Sequence, residues 1–265
     1  MLPDDEVVRL IARLQARLDN QAETKVKAWW ERYLKGQARF RGVKTAAIRS
    51  ELHDWLTAEA LAERLSADGQ KALALALIRQ PDTEDKLAGM LYLQEVLIPD
   101  GLVDWPRDLP RMAALFDDGF LADWNSCDWF CVRVLGPLAQ REGPACARAI
   151  AAWRTADTLW QRRAAGVAFV NLAGDGEANF PGFVEMLLDV CAATVRDPAR
   201  FAQTGTGWVL RELAQAEPQR VMAFIEDNLA HFSSEGLRYA TEKMATETKL
   251  RLRQAHRAAR RYQAC

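Results

Sequence analysis

Apolar side chains recur along this chain with the period of an α-helix. The first segment, residues 4–18, carries one apolar stripe formed by Val7, Leu10, Ile11, Leu14 and Leu18. Nearly every later segment repeats this spacing, and the sequence contains no sustained alternation of apolar and polar residues of the kind that is typical of a strand. The pattern predicts an all-α fold.

Short turns divide the helical segments, and most of these turns contain Pro or Gly beside Asp, Asn or Ser. Helices are predicted at 4–18, 22–35, 44–55, from 57 onward, 70–79, 82–98, 108–118, 125–141, 144–153, 158–173, 180–196, 203–216, 219–230 and 234–261. Pairs of helices begin near residues 82, 123, 157 and 202, a step of roughly 40 residues that is typical of HEAT-like repeats.

Repeats of this kind bury their apolar stripes against their neighbours and stack into a curved array. We therefore predict a superhelical solenoid of HEAT-like antiparallel helix pairs with a concave groove. A compact all-α bundle is the alternative. Because no linker interrupts the pattern, residues 1–265 are expected to form a single HEAT-like repeat domain.

The composition is that of an ordinary soluble protein, with 49% apolar and 27% charged residues. The longest apolar runs, such as residues 72–78, are too short to cross a bilayer, and the first residues lack the pattern of a signal peptide. Five irregularly spaced cysteines are typical of thiols in a reducing compartment. We expect a cytoplasmic bacterial protein that does not bind membranes.

The formal net charge of −1 gives no overall attraction to nucleic acid, so DNA binding would depend on local basic patches. One strongly basic stretch lies in the helix predicted at 234–261. It contains Lys243, Lys249, Arg251, Arg253, Arg257, Arg260 and Arg261, against Glu247 alone. This stretch is either a solvated helix face or an edge that faces phosphates.

Most familiar catalytic motifs are missing from the sequence. It contains no Walker loop, no Gly-rich dinucleotide turn, no Gly-x-Ser-x-Gly elbow and no His-Glu-x-x-His. Cys127 and Cys131 have helical i,i+4 spacing, but no second pair and no nearby His completes a metal site. We expect neither a metal nor an organic cofactor.

Three clusters combine a Trp with charged side chains. They lie at residues 124–129, 160–163 and 207–211. In the first cluster, Trp124 and Asp128 are four residues apart and would share one face of a helix. The alternative role for Asp128 is helix capping, with Asn125 as the N-cap and Asp128 at the third helical position.

The other two clusters carry arginines. Arg162 and Arg163 are adjacent, and neighbouring residues of a helix point about 100° apart, so at most one of them can face with the apolar stripe. An inward Arg needs either a buried carboxylate or a ligand phosphate. Trp208 and Arg211 would share a face, where Arg211 either binds a ligand or pairs with a surface carboxylate such as Glu212.

In their order and spacing, these motifs resemble those of the HEAT-repeat alkylpurine DNA glycosylases, the AlkD-like DNA alkylation repair family. The resemblance covers most of the chain and includes Tyr33-Leu34-Lys35-Gly36, Phe40-Arg41-Gly42-Val43-Lys44-Thr45 with Arg49, Trp124 to Asp128, Trp160 to Arg163, and Gly207 to Glu212. Ala46-Ala47 stand near where the family usually has Pro, and residues 234–240 follow its last motif only in part.

The resemblance implies a role for each matched residue. Asp128 would be the catalytic carboxylate, with Trp124 and Trp208 packed at the lesion. The DNA-binding residues would be Arg163, Arg211, Arg162, Lys44 and Arg49. The implied partner is double-stranded DNA containing alkylated purines, bound by a monomer that is associated with the nucleoid when it acts.

A small set of residues would suffice for this reaction. A purine alkylated at N3 or N7 is already cationic and leaves as a neutral base, so no acid is needed to protonate it. One carboxylate can stabilise the oxocarbenium charge that develops on the sugar and orient the attacking water. The resemblance also implies catalysis without flipping of the damaged base into a pocket, an exception to the usual rule for base chemistry.

Three functions are therefore compared. The first is a monofunctional DNA glycosylase that hydrolyses the N-glycosidic bond of N3- and N7-alkylated purines in base excision repair. The second is a non-catalytic HEAT-repeat protein that binds damaged or branched DNA, in which Asp128 would only cap a helix. The third is a protein–protein scaffold, which the near-neutral charge favours and which would be indifferent to DNA.

Overall fold

The structure is a computed structural model and describes residues 3–263. Within that range the chain is all-helical, and its one β-bridge joins Arg39 to Asp82. The predicted all-α fold class is confirmed. The described residues form two compact units with the boundary between Val134 and Leu135, and each unit has its own core.

The first unit contains eight α-helices among its described residues. They are α1 Asp4–Asp19, α2 Thr24–Tyr33, α3 Thr45–Ala58, α4 Leu61–Arg64, α5 Ala67–Ile78, α6 Thr83–Tyr92, α7 Trp105–Asp117 and α8 Trp124–Phe130. A π-helical turn, Leu93–Leu97, continues α6, and a second one, Cys131–Leu135, follows α8. Such turns insert an extra residue into a helix and are frequent at functional sites.

The second unit contains a further eight α-helices in the described chain. They are α9 Gly136–Glu142, α10 Pro144–Ala151, α11 Leu159–Val167, α12 Phe183–Thr194, α13 Arg200–Leu213, α14 Pro218–Asp227, α15 Ser234–Ala240 and α16 Thr246–Gln263. Two 3₁₀ segments, Ala152–Thr155 and Ala173–Ala178, extend the turns. Helices α11, α13 and α15 pack side by side, as alternate helices of stacked pairs do.

Three of the predicted helices have clearly wrong boundaries. The helix predicted at 158–173 ends early, because α11 stops at Val167 and a turn follows it. The single basic helix predicted at 234–261 is two helices, because a turn follows Ala240 in which the Met244 N–H donates to the Thr241 carbonyl (3.0 Å). The helix predicted to start at 57 is the end of α3, and a left-handed residue, Ala60 (φ +49°), separates it from α4.

A buried acidic pair anchors the loop between α2 and α3. The Glu84 carboxylate accepts the backbone N–H groups of Arg41 (2.9 Å), Gly42 (2.8 Å) and Val43 (3.1 Å). The Arg41 guanidinium donates to the neighbouring Asp85 (2.8 Å), which has no exposed surface. These hydrogen bonds pair the buried charges with each other and with the loop backbone, although Arg41 Nε and Asp85 Oδ1 have no partner among the described residues.

Glycines allow backbones to approach closely at two places. Gly42 has φ +100°, and a Cβ there would lie 2.5 Å from the Glu23 carbonyl oxygen. A Cβ at Gly207 in α13 would lie 2.5 Å from the carbonyl oxygen of Gly236 in α15. Gly42 and Gly207 each belong to one of the sequence motifs, and close packing leaves no room for a side chain at either position.

We expect Gly42→Ala to lower the free energy of unfolding by about 2–3 kcal/mol, because a methyl group would meet the α2 backbone in a strained conformation. Gly36→Ala is the matched control. Gly36 also has a positive φ (+73°), but nothing lies within 4 Å of its added Cβ. It should cost only the backbone strain, about 1 kcal/mol. Urea unfolding measures both, and equal losses would contradict the close approach at Gly42.

Candidate functional site

Helix α8 positions Trp124 and Asp128. Its N-cap is Asp123, whose Oδ1 accepts the backbone N–H groups of Asn125 (2.9 Å) and Ser126 (3.0 Å), while Oδ2 accepts the Ser126 hydroxyl (2.6 Å). The alternative with Asn125 as the N-cap is wrong. Asp128 is the fifth residue of α8, beyond the first turn where side chains cap free N–H groups, so capping does not account for it.

An aromatic cluster joins α8 to α2. Trp124 meets the ring of Tyr33 edge to face (5.7 Å between centroids), and Trp129 meets Trp30 in the same way (6.0 Å). Trp30 also stacks on Phe40, at 5.3 Å and 9°. The orientation of the Trp124 ring therefore depends on contacts with α2 as well as on its position in α8.

Of these residues of α2, the sequence motifs included Tyr33, at the start of residues 33–36, but neither Trp29 nor Trp30. The sequence does contain a signal for an exposed aromatic pair, because Trp29 and Tyr33 are four residues apart in a segment rich in Lys and Arg. An aromatic residue in a helical period is commonly interpreted as core, whereas α2 contains no buried residue.

Two predicted DNA-binding residues of the first unit lie at α3, and both are ion-paired. Lys44, at the N-cap of α3, pairs with Glu23 (2.7 Å) and is 63% exposed. Arg49 pairs with Glu95 (2.7 Å) and is 43% exposed. Both cations remain accessible, but phosphate binding would compete with a carboxylate in each case.

The π-helical turns bring Arg133 to Gln94, whose side-chain oxygen accepts from Nη1 at 3.2 Å. Burial and the like charge of Arg49 lower the pKa of Arg133, and its buried Nε has no hydrogen-bond partner among the described residues. Beside it, hydrogen bonds from His53 and Arg49 outweigh burial and lower the pKa of Glu95. This ionic cluster could not be predicted from the sequence, because its members come from three separate segments of the chain.

The adjacent arginines of α11 point in different directions, as predicted. Arg163 is only 7% exposed and donates through Nη1 to the Phe201 carbonyl (2.7 Å) and the Thr204 hydroxyl (3.3 Å) of α13. Gly205 leaves room for it, since a Cβ there would lie 3.0 Å from Nη1. Arg163 is thus held in the seam between α11 and α13.

Arg162 is the more exposed of the two arginines. Its Nε and Nη2 donate to one carboxylate oxygen of Asp197 (2.9 and 2.8 Å). Its Nη1 donates to the backbone carbonyls of Ala156 and Asp157 (2.8 and 2.7 Å). These bonds tie the start of α11 to the turn before α13.

Trp208 and Arg211 lie on α13, and both are partly exposed. Arg211 donates to Glu212 (2.9 Å) and forms a short contact with Glu242. Despite burial, these two carboxylates raise the pKa of Arg211. Lys243 also pairs with Glu212 (2.7 Å), so Arg211 and Lys243 share this carboxylate.

The basic C-terminal stretch lies mainly on α16. Leu252 and His256 are buried on one face of this helix, and Arg253, Arg257 and Arg260 form an exposed row at i, i+4 and i+7 spacing. Arg251 pairs with Glu226 (2.7 Å). The exposed arginines of α16 therefore form a surface face of this helix.

The four described cysteines, Cys127, Cys131, Cys146 and Cys191, form no disulfide and are buried. Burial raises the pKa of the Cys146 thiol to about 12 and raises that of Cys191 further above its ordinary range. Within residues 3–263, no three His, Cys, Asp or Glu side chains lie where they could hold one metal ion. Over the same range, no helix is both long and apolar enough to cross a membrane.

Comparison with known proteins follows from this fold and these motifs. The fold is similar to a solved structure described as a predicted DNA alkylation repair enzyme from Enterococcus faecalis. The two share 16% sequence identity with a TM-score of 0.70, over 85% of this chain and 98% of that one. No curated protein matches the chain.

The family model of the DNA alkylation repair enzymes matches residues 14–244. The chain belongs to this family, as the resemblance of its motifs implied, and its role is accordingly in DNA alkylation repair. The matched range includes α2, α8, α11 and α13, which carry the Trp and Arg residues described above.

We expect Asp123→Ala to lower the free energy of unfolding by about 1 kcal/mol, because it removes the side chain that caps α8. Asp123→Ser should retain most of the stability, since a hydroxyl can accept the same N–H groups. Thermal unfolding followed by circular dichroism measures both variants. If Ala and Ser were equally destabilising, the capping role of Asp123 would be rejected.

Proposed function

We propose that the protein is a monofunctional DNA glycosylase that releases N3- and N7-alkylated purines from duplex DNA, as the first step of base excision repair. The observation that carries this proposal is the position of Asp128. It is a partly exposed carboxylate one helical turn after Trp124, at a place where helix capping does not explain it.

In the proposed mechanism, the Asp128 carboxylate faces the sugar of the damaged nucleotide. The alkylated base is a cation, so breaking its glycosidic bond moves positive charge onto the sugar. An ionised carboxylate stabilises that charge and orients the water that captures the sugar. The base leaves with the bonding electron pair as a neutral molecule and requires no proton.

Trp124 and Trp208 are proposed to pack against the damaged nucleotide, because the face of an indole ring attracts a cation. The edge contact with Tyr33 supports this role for Trp124, since it fixes the ring before DNA arrives. Arg211, Lys44 and Arg49 are proposed to bind phosphates from partly exposed positions. Arg163 and Arg162 would act mainly by positioning α11 and α13, on the strength of their backbone contacts.

Under this proposal the enzyme acts as a monomer in the bacterial cytoplasm, on nucleoid DNA, without a metal or organic cofactor. The alternative is a non-catalytic protein that binds damaged or branched DNA. The ion pairing of Lys44, Arg49 and Arg211 does not separate the two functions, because both require phosphate contacts. Only the dependence of base release on Asp128 does.

Asp128→Asn should reduce the release of N7-methylguanine from a methylated duplex by at least about 100-fold, because it removes the charge that stabilises the transition state. DNA affinity and thermal stability should stay near the wild-type values. Asp117→Asn, an exposed carboxylate at the end of α7, is the control and should release base at the normal rate. Wild-type binding without release would favour the non-catalytic binder.

Arg211 offers a test of the phosphate contacts, because Glu242 competes with DNA for it. Arg211→Gln should weaken DNA binding and lower the salt dependence of the affinity by about one counterion. Glu242→Gln should strengthen binding by about 2- to 5-fold at low salt.

In a protein that already carries Arg211→Gln, Glu242→Gln should increase the DNA affinity only as much as the removal of an unrelated surface carboxylate does. Glu6→Gln, which breaks an exposed pair with Arg64 in the first unit, supplies that reference. An undiminished gain in the double variant would show that Glu242 does not act through Arg211.

A further inference from the structure

Two adjacent tryptophans of α2 have opposite surroundings. Trp30 points inward, where it stacks on Phe40 and meets Trp129, so packing explains it. Trp29 points outward with 52% of its surface exposed, and it stacks on Tyr33, which is 54% exposed. The two outer rings are 5.0 Å apart and inclined by 14°.

The exposed surface of this outer stack, Trp29 with Tyr33, is not needed to hold α2 in the fold. Helix α2 has no buried residue, and Trp30 already attaches it to the first unit. Large exposed aromatic surfaces are costly in water and mark places where something binds. Among the described residues, only Val8 and Leu250 are other large apolar side chains with comparable exposure.

The charges around the outer stack indicate what binds there. Residues 23–35 contain Lys25, Lys27, Arg32 and Lys35 against Glu23 and Glu31, an excess of positive charge in a chain whose net charge is −1. Within the described residues, Lys25, Arg32 and Lys35 have no carboxylate in ion-pair range. Aromatic rings between exposed cations are typical of surfaces that stack the bases of an opened nucleic acid strand.

We infer that the outer stack is a platform for one unstacked DNA base, held beside Trp124. The continuity of the rings supports this assignment, because Tyr33 stacks on Trp29 and also forms a T-shaped contact with Trp124. The base stacks on the indole of Trp29, and the flanking cations bind its phosphates. The inference rests on the proposed function, since it places the platform next to the damaged nucleotide.

The platform gives specificity for opened DNA. A base that is already out of the duplex stack costs little to place on the indole, whereas a paired base must first be unstacked. The protein should therefore prefer a duplex that contains a single-nucleotide bulge over the same duplex fully paired, even without any alkylation.

The test uses the full chain and undamaged duplexes with 2-aminopurine, either as a one-nucleotide bulge or paired. Wild type should bind the bulged duplex about 10-fold more tightly and quench the fluorescence of its bulged base. Trp29→Ala should abolish both the preference and the quenching, while Trp29→Phe should keep part of each. Leu250→Ala, which removes an equally exposed apolar side chain of α16, should change neither.

Three results would overturn the inference: an unchanged bulge preference in Trp29→Ala, equal weakening on both duplexes, or Trp29-dependent self-association in sedimentation. Release of N7-methylguanine is measured on the same variants to separate the two proposals. Asp128-dependent release without a bulge preference would reject the platform alone. A Trp29-dependent bulge preference without release would reject the glycosylase and keep the platform.

Discussion

The buried carboxylates at the start of α6 determine the arrangement of the first unit. Glu84 binds three consecutive backbone N–H groups of the loop before α3, and Asp85 binds Arg41 from the same loop. Burial raises the pKa of Asp85 against the hydrogen bonds from Arg41 and Gln15, so its negative charge depends on those partners. Removal of one partner from a buried ion pair strongly destabilises a fold, because the other charge is left buried without a partner.

The aromatic cluster extends from that loop to the candidate site. Phe40 precedes the anchored residues and stacks on Trp30, and Trp30 in turn meets Trp129 of α8. The orientation of α8, and hence of Trp124 and Asp128, is therefore connected to Glu84 through packed rings. Glu84 and the packed rings have no chemical role in the proposed reaction, but they orient Trp124 and Asp128, which do have one.

The sequence was sufficient for the helices but not for every boundary. Their apolar period fixed the fold class, because a stripe of buried side chains is a local property. The break after Ala240 was missed because the next five residues include good helix formers and neither Gly nor Pro, so only tertiary packing marks it. At α8, Asp123, Asn125 and Ser126 are all good N-caps, and only the three-dimensional structure distinguishes them.

The residues of the candidate site stay a prediction from the sequence, whereas their surroundings come from the structure alone. Trp124 and Asp128 share a helix, so their spacing sufficed, whereas Arg49 and Arg211 find their partners Glu95 and Glu242 far along the chain. Ion pairs between residues that are far apart in the chain produce no periodic sequence pattern, so they cannot be predicted from the sequence.

The buried cysteines have a consequence for the cell in which this protein works. Alkylating agents react with nucleophiles, and the thiolate is the nucleophilic form of cysteine. Burial raises the thiol pKa of Cys146 and Cys191, and all four described cysteines are enclosed in the core. These four positions are therefore poor targets for the same chemicals whose DNA lesions this family repairs.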